Sequence, residues 1–241
     1  MSQTFVDFNF KLNNEETFNF KIKNNLFTPT GTTNLLLNSI IKDNPKQGKL
    51  LDLGAGIGIN GIILNKKNIA KDPVYLSDLN KNSIICISEN AKIYNCDIIV
   101  KEGSLFEPWK NHRFDYIVND VSGISSSIAS IASWFKNVPC DSDEDGTKLT
   151  IKIINDSKKY LEKDGKMFLP IISLSNKEKI LRELNNNFNN VKLLSTQEWP
   201  LPKDIAEHED LLLKLENENK IYIKSKFGMK IFETSIYSAQ Y

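Results

Sequence analysis

The chain has 241 residues, 40% of them apolar and 25% charged, with a formal net charge of +1. That length supports an ample core in one large domain, or one domain with a small appendage, with no need of a disulfide or metal staple. With 31 basic against 30 acidic residues and no block of five or more basic ones, there is no general electrostatic case for nucleic acid, and a local basic patch is left to the fold. Cys86, Cys96 and Cys140 are odd in number and lack metal-ligand spacing, which predicts free thiols in a reducing cytoplasm. No basic region followed by an apolar core opens the chain and no run of eighteen apolar residues occurs, so neither export nor a membrane span is expected.

Phe8, Phe10 and Leu12 alternate with polar residues, as do Phe18, Phe20 and Ile22, with a polar turn between them. This predicts a β-hairpin over residues 1–26, either a flap over a site or a plain edge extension. Pro29 and Gly31 mark a turn, Thr32 or Thr33 is placed to cap a helix, and Leu35, Leu36, Leu37 and Ile40 stripe that helix. From Lys49 short apolar runs alternate with amphipathic ones, which implies a parallel sheet. The predicted strands are 49–53, 74–77, 97–100, 114–119, 166–172 and 191–194, with 221–223 and 230–237 as candidates for the last ones. Leu149, Ile153, Ile154, Tyr160 and Leu161 predict one long helix stopped by Asp164-Gly165, and 204–213 reads as a polar helix.

The central stretch is Lys49–Gly61. An apolar run meets Asp52, then a glycine-rich turn, then a second apolar run, which reads as strand, tight loop and helix. Glycines there let backbone N–H groups approach a ligand, at the carboxyl end of a parallel strand where open α/β sheets bind them. Two ligands compete for this loop. Gly56, Gly58 and Gly61 fit the weak dinucleotide pattern G-x-G-x-x-G, whereas Asp52-Leu53-Gly54-Ala55-Gly56 fits D-x-G-x-G. A carboxylate just ahead of the loop repels a pyrophosphate and suits the cationic amino group of a methionine moiety. Asp78, ending the second strand, is suited to accept hydrogen bonds from two ribose hydroxyls, or else caps the next helix.

These residues resemble motif I of the class I S-adenosylmethionine-dependent methyltransferases. Gly103-Ser104-Leu105-Phe106-Glu107-Pro108 is similar to the adenine-binding G-D-L-F-x-P stretch of their small methyltransferase domain family, with Ser104 in the acidic place. Phe114–Ile124 resembles that family's F-D-x-I-x-x-N-P-P-Y-x element, which belongs to nitrogen methyltransferases such as the release-factor glutamine and rRNA amino enzymes. Asp120 takes the Asn position, Val121 and Ser122 the prolines, and Gly123 the aromatic. Phe27-Thr28-Pro29-Thr30-Gly31-Thr32-Thr33 is similar to the family's entry motif, so the likeness spans about 27–172.

The resemblance implies a Rossmann-like α/β fold: a seven-stranded, mostly parallel sheet with helices on both faces, occupying 27–241 after the N-terminal β-hairpin. It implies S-adenosyl-L-methionine as cofactor, with Asp52, Gly54, Ala55, Gly56 and Gly58 at the methionine part, Asp78 and Leu79 at the ribose, Ser104 and Leu105 at the adenine, and Asn119 and Thr33 beside them. Asp120 is the expected catalytic residue, positioning an acceptor nitrogen and taking its proton. Phe27, Asp120, Ser122, Trp134 and Phe135 are the expected substrate contacts, the last three on an insertion, 122–146, expected to line the acceptor pocket. Ile124, Ile128, Ile131, Trp134 and Phe135 predict a short helix within it.

Asp141–Gly146 imitates the opening of a calcium loop, but its twelfth position is Lys152, so no metal is expected; the run is an acidic rim for a cationic acceptor or a solvated turn. The expected acceptor is a guanidine, amine or amide of a small metabolite or protein side chain. Nucleic acid is the alternative within the class, an NAD-dependent oxidoreductase or a non-catalytic binding protein the alternatives outside it. Oligomeric state is not readable.

Overall fold

The computed structural model describes residues 4–13, 15–121, 123–136, 138 and 140–241. The hairpin forms as expected, from β1 (Phe5–Leu12) and β2 (Glu16–Lys23), and is a separate two-stranded antiparallel sheet. Alternation gives it one apolar face, and Phe10, Leu12, Phe18 and Phe20 bury that face in the main core.

The rest of the chain builds one eight-stranded sheet from β3 (Leu50–Leu53), β4 (Val74–Asp78), β5 (Ile98–Glu102), β6 (Phe114–Asn119), β7 (Leu161–Ile172), β8 (Asn190–Pro200), β9 (Lys224–Lys226) and β10 (Met229–Gln240). Seven strands run in the order β5-β4-β3-β6-β7-β10-β8, and the short β9 adds to the end of β10. Every described pairing among β3 to β7 is parallel and those of β10 are antiparallel, so the last strand runs against the others. β3 lies at the centre with all four residues buried, the continuous apolar run a doubly covered parallel strand needs. Strand order reverses between β3 and β6, which opens a crevice at their carboxyl ends.

Helices α1 (Gly31–Asp43), α2 (Ile59–Lys66) and α3 (Lys81–Ile93) pack on one core with the hairpin, and α5 (Lys148–Ser157) and α6 (Lys177–Asn187) on another. A third cluster joins α4 (Ser126–Ala129), α7 (Lys203–Ala206) and α8 (Glu209–Asn217) to the ends of β7 and β10.

Several local expectations are corrected. The cap of α1 is Thr30, whose hydroxyl accepts from the Thr32 amide, and not Thr32 or Thr33. The helix expected through Leu161 stops at Ser157, because Leu161 already pairs with Phe114 in the sheet; Asp164, at φ +66°, sits within β7 and ends no helix. Residues 221–223 run beside the sheet, the Tyr222 amide on the Ser173 carbonyl, and the strand begins only at Lys224. The insertion helix breaks into α4 and a 3-10 turn at Ser133–Phe135, and the polar helix near 204–213 is divided between α7 and α8.

Candidate functional site

Three carboxylates mark the crevice, each where an apolar strand ends. Asp52 is fully buried in β3; its Oδ2 accepts from the Gly61 amide at 2.8 Å, capping the first turn of α2, whose own N-cap Gly58 offers no side chain. Burial pushes Asp52 up to about 7, opposed by the Gly61 amide and reinforced by the charges of Asp120 and Asp78. Its Oδ1 has no partner, and neither do the Oδ1 of buried Asn60 nor the Nδ2 of buried Asn119. Buried polar atoms rarely stay unpaired without a ligand or water to satisfy them.

Asp78 ends β4. One oxygen accepts from the Gly56 amide and the other from the Asn80 amide, both at 2.8 Å, so a lone pair on each remains free. The helix-cap alternative belongs to Asn80, which accepts from Asn82, and burial raises the Asp78 pKa. Leu79 is 70% exposed beside it.

Between these carboxylates runs the glycine loop. Gly54 has φ +68° and a Cβ on it would lie 2.2 Å from Val121, so the residue after Asp120 rests on the loop. Gly56 has φ +57° and nothing within 4 Å of where a Cβ would stand, an open cradle lined by backbone. Ala55 is buried, and its amide donates to the Ser77 carbonyl. Gly103 donates to the Asp78 carbonyl, which brings Ser104 and Leu105 to the same rim, Leu105 at φ +46°. Phe106 is core, stacked on Tyr160 at 4.5 Å.

Asp120 follows β6 and is half-buried. Thr33 in α1 donates to its Oδ2 at 2.6 Å, and desolvation raises it to about 6 against the Thr33 and Asn60 hydrogen bonds. Asn119 accepts from the Val121 amide at 3.0 Å, fixing the turn that presents Asp120. Ser122 lies outside the described residues. Where the aromatic of the resembled element would stand, a Cβ on Gly123 would meet the Gly146 carbonyl oxygen at 2.0 Å, so backbone fills that place.

Phe27, Trp134 and Phe135 do come together. With Trp199, Phe232 and Ile124 they wall a cavity of about 240 Å³ at the start of α1, with Phe27 and Phe135 ring centroids 5.4 Å apart. The run Glu198–Pro202 after the sixth predicted strand offers Trp199 either to a pocket mouth or to packing, and Trp199 lines the cavity; Phe232 carries no local signal, because only the pairing of β8 with β10 brings it here. Asn60 and Asn90 were also missed. Asn90, fully buried in α3, donates to the Lys21 and Ile57 carbonyls and accepts from the Lys21 amide, so it ties the hairpin to the glycine loop. The acidic run is no rim for a cation: Asp141 pairs with Lys148, Asp145 with Lys179 and Glu144 with Lys220.

A parallel sheet with one reversed strand, a carboxylate before a glycine loop and a second carboxylate on the next strand together give the fold and crevice seen in class I methyltransferases. Residues 21–120 match the family described as the methyltransferase small domain, and the relatives and solved structures the chain resembles are methyltransferases. It is 25% identical over 169 residues to a Methanocaldococcus jannaschii protein provisionally named protein N5-glutamine methyltransferase, covering 70% of this chain and 83% of that one. It is 31% identical over 108 residues to the release factor glutamine methyltransferase of Aquifex aeolicus, covering 42% of this chain and only 37% of that enzyme. Among solved structures, a T. thermophilus 16S rRNA guanosine-N2 methyltransferase bound to S-adenosylmethionine and guanosine superposes with a TM-score of 0.61 at 14% identity, over 98% of this chain and 50% of that one. The residues present fit the cofactor: an unpaired buried carboxylate oxygen for an ammonium, free lone pairs on Asp78 for hydroxyls, and a bare backbone cradle at Gly56.

Proposed function

We propose that the chain methylates a nitrogen, with Asp120 as the residue that orients the acceptor and takes its proton. The observation that carries this reading is the Asp120 carboxylate itself, held by Thr33 at the carboxyl end of β6 and resting through Val121 on the glycine loop. Asp52 and the Gly54–Gly58 loop, Ala55 included, hold the methionine part of the cofactor, Asp78 and Leu79 the ribose, Ser104 and Leu105 the adenine, with Asn119 and Thr33 fixing the turn between the two ligands. The cofactor supplies an already activated methyl group, so no covalent enzyme intermediate is needed. What the chain adds is alignment of the nucleophile and removal of a proton, acid–base help worth on the order of 10²–10⁴-fold.

A protein side chain or small metabolite is the favoured acceptor. A basic concavity, with Lys49, Lys110, Arg113 and Lys159, opens where β3, β6 and β7 begin. That is the opposite end of the sheet from Asp120, so it gives a nucleic-acid acceptor no support. Incubating cell extract with isotopically labelled S-adenosylmethionine and following the label by mass spectrometry tests the reading. Label on a nitrogen, lost with Asp120→Asn, is the expected result; label on oxygen or carbon, or none, contradicts it.

A further inference from the structure

The three carboxylates of the crevice have no cation of their own. Among the described residues, Asp52, Asp78 and Asp120 form no ion pair with lysine or arginine, although most other buried or half-buried acids, such as Asp43 and Glu233, do. A ligand's positive charge would find three unpaired carboxylates at this crevice. Asp52 faces the cofactor cradle; Asp120 faces the acceptor.

Beside Asp120 lies the aromatic cavity. Thr32 lines it and Thr33, the next residue of α1, bonds Asp120, so cavity and carboxylate both adjoin the first turn of α1. No lysine, arginine or carboxylate lines it among the described residues. Phe27 packs on Phe135, and Trp134 on Phe232 with centroids 5.6 Å apart. The Trp199 indole N–H is satisfied by Thr234 at 3.2 Å, and its benzo edge closes on Gly31, where a Cβ would come within 2.8 Å. A volume of about 240 Å³ exceeds the ~150 Å³ that admits benzene in an apolar protein cavity. A ring-sized group fits.

Asp120 also discriminates by hydrogen bonding. The asparagine of the resembled element both donates and accepts, and so reads an amide or a base edge. An ionised aspartate only accepts, which suits an ammonium with its several N–H groups. The stacking ring that would flank a flat acceptor is replaced by the Gly146 backbone.

We infer that the acceptor is a primary or secondary amine carrying a ring-sized apolar group, the group seated between Phe27, Trp134, Phe135, Trp199 and Phe232 and the nitrogen on Asp120. This rests on the methyltransferase reading above. The ammonium gives one proton to the Asp120 carboxylate, and the freed lone pair forms the new N–C bond. The methyl carbon's bond to sulfur breaks with its electron pair staying on sulfur, leaving S-adenosylhomocysteine and a methylated ammonium. Asp120 then returns its proton to solvent.

The test uses the full chain with saturating S-adenosylhomocysteine, whose own binding is first measured by calorimetry. Tryptophan fluorescence is then titrated with phenethylamine, phenylacetamide, ethylamine, guanosine and a tripeptide with amino-terminal phenylalanine. Phenethylamine or the tripeptide should bind at least tenfold more tightly than phenylacetamide and ethylamine, and the tighter of the two assigns a free amine or a polypeptide amino terminus. Phe135→Ala and, independently, Phe27→Ala should weaken that binding about tenfold with S-adenosylhomocysteine affinity held within twofold. Asp120→Asn should remove the preference for amine over amide. Phenylacetamide or guanosine binding as tightly as the amines, or amine binding indifferent to all three substitutions, overturns the inference and leaves the methyltransferase reading standing. Failure of the unsubstituted chain to bind S-adenosylhomocysteine overturns that reading instead.

Discussion

Asp52 carries two loads: one oxygen caps α2 through Gly61, and the other is buried with no partner. Its carboxyl titrates at 3.8 in a free chain and at about 7 when folded. Between those values the folded state binds the extra proton, so stability falls as pH rises through that window and stays low above it. Asp52→Asn keeps the oxygen that caps α2 and should stabilise the free chain at pH 8 by roughly 1–4 kcal/mol, read by urea denaturation, and weaken S-adenosylhomocysteine binding at least tenfold. A ligand ammonium favours the ionised form, so binding near pH 6.5 should release protons, seen as a heat that changes with the buffer's ionisation enthalpy; proton uptake would refute this assignment. Asp120, facing Thr33, Asn60 and the charge of Asp52, should give a kcat/KM that falls below about pH 6, its folded value. Asp120→Asn should lower kcat by about 10²–10⁴-fold with cofactor affinity within twofold. All three carboxylates were readable in the sequence because each interrupts an apolar strand run at its carboxyl end. Asn60 and Phe232 were not, because burial and partners alone distinguish them from any other polar or core residue.

At the scale of elements, the hairpin is held by few, specific bonds. Asn90 fastens β2 to α3 and to Ile57 of the glycine loop, and Tyr94 bonds Asn19 through both its backbone groups. Asn90→Ala strands those groups and should destabilise by about 1–3 kcal/mol, with faster amide exchange in residues 5–23 than in β3. Equal acceleration throughout would show that the hairpin is no separate unit. Its existence followed from period-two alternation, which a half-buried strand imposes on its own sequence. Where strands end was less readable. Leu161 reads as the last turn of a helix until Phe114 recruits it, and Asp164-Gly165 reads as a stop until it is seen inside β7. Pairing across the sheet outweighs local propensity there. The insertion's expected helix likewise stops after Ala129, and the aromatic residues beyond it are drawn to two different neighbours, Phe27 and Phe232.

For the molecule as a whole, the reversal of strand order at β3 and β6 places all three carboxylates at one end of the sheet and the basic concavity at the other. Chemistry and surface charge are thereby separated by the length of the strands, roughly 13–20 Å at 3.3 Å per residue. The account stands on a carboxylate-flanked, bare backbone turn receiving a cationic amino acid moiety instead of a pyrophosphate. Parallel calorimetric titrations of the intact chain with S-adenosylhomocysteine and with NAD, repeated on Asp78→Ala, measure this most directly. Binding of S-adenosylhomocysteine alone, weakened at least tenfold by Asp78→Ala, is the predicted result. Binding of NAD in its place, or of neither ligand, would contradict it.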